Sequence, residues 1–441
     1  MDFFNHPYIP NALILNEMLK EIGIEKIDDL FNDVIKENFD LNIPILDEYS
    51  IYKEVKSILS KNKVYNKCFM GGGPWFHFVP SIIKYLITRG EFLTSYTPYQ
   101  PEISQGVLQV LFEFQSMICE LYNMEVANAS LYDFPTAIGE AFLLSSRVTG
   151  RRKVIIPASI PEDRKSVIKN YTINLELIEV PFLDNGCPDL EYIKEIINKE
   201  IAGVYTEIPN FFGVIDFKLK ELIEIVHEVE ALAIIGADPL LMGIIKPPGD
   251  YGADIVVGDG QPLGIPPAMG GNSLGIIACK NDMRIIRQMP GRIIGMTKTI
   301  RGERAFTLVL TTREQHIRRE KATSNICTNE TLLAIAATIY MALMGKEGIK
   351  RIAKRIFHNT QYTIKRIKEI GLDTAFKGLH FRDFTIKGIN IKKLNNFLKD
   401  KGILGGREIS DNIGLFAVTE IHKKEDIDEF ISLIEEFMKS D

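Results

Sequence analysis

The 441-residue chain is poor in the residues and patterns that mark disulfide-bonded, metal-binding or membrane proteins. It contains no CxxC pair, and its cysteines are few, scattered and odd in number: Cys68, Cys119, Cys187, Cys279 and Cys327. We therefore expect buried free thiols rather than disulfides or a zinc site. The seven histidines show no metal-ligand spacing. The most apolar helix, at 332–344, is too short to span a bilayer and is interpreted as a core helix.

Other motifs and biases are also missing. The net charge of −6 combines both signs without a basic stretch, which argues against a nucleic-acid binder. The sequence has no GxSxG, and no lysine follows the glycine run 71–73, so that run is interpreted as a flexible bend rather than a phosphate-binding loop. The first seven residues lack a basic region followed by an apolar run, so no signal peptide is expected. These absences predict a soluble, cytoplasmic protein.

The middle of the chain has a regular alternation of strand and helix patterns. Seven β-branched runs predict strands at 126–130, 153–156, 175–180, 203–207, 232–236, 254–257 and 274–279. Helical patterns separate the first five. This layout predicts an α/β fold with a mostly parallel seven-stranded sheet that is covered on both faces.

The length and the changes of pattern predict three parts. Residues 1–63 form a helical N-terminal segment, and residues 64–310 form the large α/β domain. Residues 311–441 form a small α+β C-terminal domain, because short strands there alternate with helices.

The stretch 94–136 combines a loop, a buried helix and a strand-to-helix turn. Two prolines keep Tyr96–Pro101 out of a helix, and Glu102 is expected to open the helix that Asn123 closes. After the next strand, a new helix is predicted to start near Thr136, giving a turn of the kind that holds anionic ligands. Ligands on such sheets bind outside the carboxyl ends of the strands. That rule places the residues that follow the strands around one crevice, namely Tyr132, Asp133, Thr206, Asp238, Gly260 and Gln261.

Three segments of this sequence carry a specific resemblance. They are TSYTPYQPEISQGVLQVLFEFQSMICEL at 94–121, NASLYD at 128–133 and REQHIRREKATSNICTN at 313–329. Together they resemble the alpha-subunit branch of the glycine cleavage system P-protein family. The similarity reaches from about the N-terminus to about Gly348 and weakens beyond. It implies the fold of the fold-type I pyridoxal-phosphate (PLP) transferases.

A PLP enzyme of this fold needs a Schiff-base lysine, an acidic partner for the pyridine nitrogen and a phosphate cup at a helix N-terminus. Asp238 follows a strand where the acidic partner would lie. The expected lysine position, at 257–264, holds no lysine; Lys246 and Lys280 are the nearest alternatives. We therefore interpret Asp238 and Gln261 as a relic cofactor position and predict no catalytic residue in this chain.

Two departures from the family pattern support the same interpretation. Phe134-Pro135 stands where the family has a glycine and small residues, which removes backbone freedom and one N–H donor from the phosphate cup. Trp75-Phe76 follows the glycine bend where the family has small and polar residues.

The resemblance implies a heteromeric enzyme whose beta subunit carries the PLP. The pair would decarboxylate glycine and pass the aminomethyl group to the lipoyl arm of the H-protein, with T- and L-proteins in the wider system. Two alternatives remain open from the sequence. One is an autonomous PLP lyase or aminotransferase-like enzyme of fold type I, and the other is a non-catalytic scaffold derived from the family.

Six residues are candidates for a pocket or an interface with the partner. They lie in the tyrosine loop and in the charged 313–329 segment: Tyr96, Tyr99, Gln100, Arg313, His316 and Arg318. Tyrosines on a proline-stiffened loop are favoured at interfaces, and a segment that mixes charged and apolar residues fits an intersubunit surface. The alternatives are that the tyrosines pack on their own domain and that the charged segment is a solvated face.

Overall fold

The computed structural model of the chain describes residues 11–34 and 43–440, which form two compact units, Met1–Val64 and Tyr65–Asp441. The N-terminal residues that lack a signal-peptide pattern lie outside the described part. The first unit contains α1 (Leu15–Ile22) and α2 (Glu48–Leu59). α1 ends at Gly23 with φ +85°, a left-handed conformation that glycine adopts readily. α2 begins where the Asp47 carboxylate accepts the Ser50 N–H at 3.0 Å.

The second unit begins with a short strand and three helices, which are β1 (Lys67–Cys68), α3 (Ser81–Ile87), α4 (Gly90–Leu93) and α5 (Gln105–Tyr122). α5 starts three residues later than the sequence predicts. The N–H groups of Ile103 and Ser104 donate to the carbonyls of Gln100 and Pro101, so a turn precedes the helix. α5 is the predicted buried helix, and it ends at Asn123 with φ +50°.

Seven strands form the central sheet, and all lie at the predicted places. With the helices between them, they are β2 (Val126–Ala127), α6 (Phe134–Thr149), β3 (Lys153–Pro157), α7 (Glu162–Tyr171), β4 (Glu176–Val180), α8 (Leu190–Ile196), β5 (Ile201–Ile208), α9 (Leu219–Glu228), β6 (Leu232–Ala237), β7 (Ile255–Asp259) and β8 (Gly275–Cys279). The strand order is β2-β8-β7-β6-β5-β3-β4, and β8 pairs antiparallel with both neighbours while the other pairs are parallel. The predicted mostly parallel seven-stranded sheet is confirmed.

Both faces of the sheet are buried, each in its own hydrophobic core. Successive side chains of a strand point to opposite faces, so each strand contributes to both cores. In β6, Ala233 and Ile235 pack in the core that includes α5 and α9. Leu232 and Ile234 pack in the core on the other face, which includes α6. Continuous apolar strands of this kind are typical of parallel sheets that are covered on both sides.

The remaining elements extend this unit beyond the sheet. They are α10 (Met283–Ile286), β9 (Ile293–Lys298), β10 (Arg304–Val309), α11 (Gln315–Arg318), α12 (Thr331–Glu369), β11 (Asp383–Lys387), α13 (Ile391–Asp400), β12 (Ile403–Leu404), β13 (Arg407–Ser410), β14 (Ile413–Ala417) and α14 (Lys424–Ser440). β9 and β10 form an antiparallel hairpin, and β11, β14 and β13 form a three-stranded antiparallel sheet. In this part the sequence predicts strands only at 381–386 and 415–418, which correspond to β11 and β14, so it missed β9, β10, β12 and β13.

α12 is the only helix among the described residues that is long and apolar enough, by length and composition, to cross a membrane. It is kinked at Gly345, which has non-helical dihedral angles, so the part before the kink corresponds to the core helix predicted at 332–344. Half of its most apolar window is buried, and it packs against α5 and α3. A core helix of this kind is weak evidence for a membrane span.

Candidate functional site

Four acidic residues meet at the carboxyl ends of the central strands. Glu207 lies near the end of β5, Asp238 directly follows β6, and Asp259 ends β7. Asp383, the first residue of β11, reaches the same place from the C-terminal part of the chain. This edge of the sheet is where open parallel sheets bind ligands, because loops there leave a crevice between neighbouring strands.

Arg382 occupies the middle of this acidic cluster. Its Nη2 lies 2.7 Å from Oδ2 of Asp238, and its Nε donates to Oδ2 of Asp383 at 3.2 Å. The guanidinium carbon lies 3.4 Å from the centre of the Trp75 ring. Arg382 is buried and has φ +61°, an unusual backbone conformation for a residue other than glycine. The acid that the sequence assigns to a pyridine nitrogen is therefore paired with a cation of the same chain.

The Trp75 ring lies over the face of this guanidinium, and hydrogen bonds hold both its side chain and its backbone. Its indole N–H donates to Oδ1 of Asp383 at 3.0 Å, and its carbonyl accepts the side-chain amide of Gln261 at 3.1 Å. The glycine bend makes this approach possible: a Cβ on Gly71 would lie 2.9 Å from the Asp383 carboxylate, and Gly72 has φ +83°. The predicted glycine bend thus places the Trp75 ring in the crevice.

The start of α6 leaves little room for an anion. Asp133 caps the helix by accepting the Thr136 N–H at 2.8 Å, and Pro135 has no N–H to offer. α6 begins at Phe134, two residues earlier than the sequence predicts, because Asp133 supplies the cap. The Arg164 guanidinium lies 4.7 Å from the centre of the Phe134 ring and forms a 2.6 Å ion pair with Glu207.

The space that remains between these groups is small. The cavity has a volume of about 40 Å³, whereas pockets for small molecules typically measure about 300–1,000 Å³. None of its lining residues is a lysine. Of the six residues predicted to surround the crevice, only Asp238 lines it, and the others do not: Tyr132, Asp133, Thr206, Gly260 and Gln261. Burial raises the pKa of Asp259 to about 6, although the Gln261 N–H, which donates to this carboxylate at 2.9 Å, opposes the shift. The residues present do not fit pyridoxal phosphate.

Neither alternative lysine reaches this cavity. Lys280 follows β8, which runs antiparallel to β7 with Cys279 opposite Ile255. Its ammonium group pairs with Asp254 at the amino end of β7, on the opposite edge of the sheet. Lys246 is exposed in the loop that follows Asp238. A Schiff base at either lysine would form away from the acidic cluster.

A second cluster joins the tyrosine loop to the 313–329 segment. The buried Arg292 forms an ion pair with Glu314 and donates to the Tyr99 hydroxyl, and its guanidinium lies 4.9 Å from the centre of the Tyr99 ring. His316 Nε2 lies 2.7 Å from the second oxygen of Glu314. Tyr99 and His316 are thus brought together by an ion pair that sequence reasoning missed, since no local pattern marks Arg292.

The other candidates in these two segments differ in exposure. Arg313 is turned inward, where it donates to the backbone carbonyls of 289, 291 and 310, and burial lowers its pKa to about 10. Tyr96, Gln100 and Arg318 are exposed. The loop itself is anchored by the buried residues at 97 and 98. The structure therefore separates a half-buried structural arginine from three side chains that face solvent.

Comparison with known proteins gives one family over nearly the whole chain. The model of the glycine cleavage system P-protein family matches residues 8–434. A protein of Staphylothermus marinus named probable glycine dehydrogenase (decarboxylating) subunit 1 is 47% identical, with 96% of each chain covered. A protein of the same name from Thermococcus kodakarensis is 46% identical, with 98% of each chain covered.

Solved structures give the same result. The crystal structure of a glycine decarboxylase (P-protein) of the glycine cleavage system, in inhibitor-bound form, superposes with a TM-score of 0.88 at 36% identity, covering 99% of this chain and 100% of that chain. A sphingosine-1-phosphate lyase of Burkholderia pseudomallei has a TM-score of 0.67 at 14% identity, covering 93% and 94% of the two chains, and it is similar in fold alone. These neighbours confirm the predicted fold class of the fold-type I PLP enzymes.

Proposed function

The chain belongs to the glycine cleavage system P-protein family. We propose that it is one subunit of a heteromeric glycine dehydrogenase (decarboxylating), and that this subunit itself carries no cofactor. Its partner is the second subunit, which binds the PLP. Together they release the carboxyl group of glycine as CO2 and pass the aminomethyl group to the lipoyl arm of the H-protein. T- and L-proteins complete the system, and the chain acts in the cytoplasm.

The proposal that the partner subunit, and not this chain, binds the cofactor rests on the ion pair between Asp238 and Arg382. In a PLP enzyme, this acid would hold the pyridine nitrogen and so tune the electronics of the ring. Here a guanidinium already neutralises it at 2.7 Å, and Trp75 covers that guanidinium. This occupied crevice argues against an autonomous PLP enzyme, because the cofactor would have to displace a buried ion pair and an aromatic ring.

The contribution of this chain to the reaction lies at its surface. Tyr96, Tyr99 and Gln100 sit on a loop whose base is buried, and Arg318 lies on the segment joined to that loop through Glu314 and Arg292. These side chains face the partner subunit near its PLP pocket. A loop that is already anchored loses little entropy when it orders against a partner.

Co-expression with a candidate cofactor-carrying subunit tests the proposal. The pair should purify together and, with H-protein present, exchange labelled bicarbonate into the carboxyl group of glycine, while this chain alone should not. Exchange activity in the isolated chain would support an autonomous enzyme instead. A chain that joins no such subunit, or that leaves its activity unchanged, would point to the non-catalytic scaffold.

A further inference from the structure

The stretch 78–103 exposes several large apolar side chains. Seven of them, each between 42% and 77% exposed, fall within 26 residues: Phe78, Ile82, Tyr85, Leu93, Tyr96, Tyr99 and Ile103. We call this set the 78–103 face. Single exposed apolar residues are common on soluble proteins, but a dense run of them marks a surface that another molecule covers.

α3 shows the pattern most clearly. Its Ile83 is almost completely buried and belongs to the main core, where α3 packs against α12. Its outer side carries Ile82 and Tyr85, three residues apart, where a solvated helix would carry polar groups. α3 therefore presents two large apolar side chains to solvent, beside the exposed Ser81 and Lys84, in addition to the apolar side that faces the core.

Several polar side chains of the same stretch bond to groups within the stretch. The hydroxyls of Thr88, Thr94 and Ser95 donate to carbonyls four residues earlier, at distances from 2.6 to 3.0 Å. Arg89 and Glu91 pair with each other at 2.6 Å. The hydroxyls and this ion pair thus have partners inside the stretch, which suits a surface that becomes dehydrated on binding.

The size of the surface matches one ordinary protein interface. Large side chains present about 150–250 Å² each, so the exposed fractions of the seven sum to roughly 800 Å². A standard interface buries about 800 Å² per partner. We infer that the 78–103 face is the surface on which the cofactor-carrying subunit docks. The inference rests on the proposed function, which supplies that partner.

Oxidative footprinting by mass spectrometry tests directly whether the cofactor-carrying subunit covers the 78–103 face, because hydroxyl radicals label exposed tyrosine and phenylalanine side chains. Tyr85 and Phe78 should be labelled readily in the isolated chain and protected in the co-expressed pair. Protection in the isolated chain at every concentration would mean that the chain covers this face itself. Protection that grows with concentration would mean self-association, and equal labelling in the pair would mean that the partner docks elsewhere. Each of these three results would overturn the inference.

Matched lysine substitutions give a second test. Tyr85→Lys changes an exposed side chain of α3 to a good helix former, so the isolated chain should keep its melting temperature. Its dissociation constant for the partner should rise at least about tenfold, since aromatic residues dominate interface energies. Ile173→Lys, at a position outside this stretch that is 77% exposed against 64% for Tyr85, should leave the dissociation constant unchanged.

The two variants also keep this inference separate from the proposed function. If the wild-type pair forms and exchanges bicarbonate while Tyr85→Lys binds normally, the docking surface is wrong and the function stands. If the wild-type chain joins no cofactor-carrying subunit, the proposed function itself fails.

Discussion

Arg382→Met is the substitution that probes the occupied crevice most sharply. The variant leaves the carboxylates of Asp238 and Asp383, which are 6% and 5% exposed, without their shared cation. It also removes the guanidinium from the face of Trp75, a contact that contributes up to about 2 kcal/mol when it is dehydrated. Removing one partner of a buried ion pair typically costs about 3–5 kcal/mol, and we expect a loss in that range. Methionine fills part of the volume and leaves the left-handed backbone of residue 382 unchanged.

The assay uses a reporter that the chain already contains. Trp75 is its single tryptophan, so fluorescence during urea unfolding reports on the crevice itself. Arg407→Met is the control, because Arg407 pairs with Asp163 at 3.1 Å on the surface, where an ion pair contributes at most about 1 kcal/mol. Adding Asp238→Asn to Arg382→Met should restore about 1–3 kcal/mol, since the unpaired charge is then gone. The reasoning is refuted if Arg382→Met costs no more than Arg407→Met.

Two further predictions concern pH and assembly. Because the folded pKa of Asp259 is raised to about 6 from 3.8, the protonated form is favoured in the fold, and its contribution to stability is lost as pH rises through about 6. Asp259→Asn should therefore stabilise the chain by up to about 3 kcal/mol at pH 8 and by almost nothing at pH 4 in denaturant titrations, and equal effects at both pH values would contradict this. Arg318→Ala should weaken assembly or slow glycine decarboxylation in the co-expressed pair without changing the melting temperature of the isolated chain. Tyr99→Phe should do the same but also lower that melting temperature, because its hydroxyl accepts a hydrogen bond from Arg292; a lower melting temperature with normal assembly and rate would support internal packing.

The fold was predictable from the sequence because its signals are local. Seven β-branched runs separated by helical patterns gave the sheet, and the position of Asp238 after β6 follows from the order of the strands. β9 was missed because its second half, from Gly295 to Lys298, is partly exposed and lacks the apolar run of a central strand. The tyrosine loop and its buried helix were visible because their prolines and helical spacing act over a few residues.

The interior of the site was only partly predictable because its partners are distant in the chain. The missing lysine and the residues Phe134-Pro135 indicated that the cofactor position had changed. No pattern near Arg382 shows that it pairs with Asp238, since their contact depends on how β11 packs beside the large sheet. The same is true of Arg292, which directly precedes β9 and joins Tyr99 to Glu314, both distant from it in the chain.

The location of the cofactor in the assembled enzyme tests the central claim most directly. The co-expressed pair would be reduced with borohydride, which fixes PLP covalently to its lysine, and the peptides of both chains would be mapped by mass spectrometry. The account predicts a pyridoxyl-lysine in the partner subunit and none in this chain. A pyridoxyl group on Lys246, Lys280 or any other lysine of this chain would contradict it.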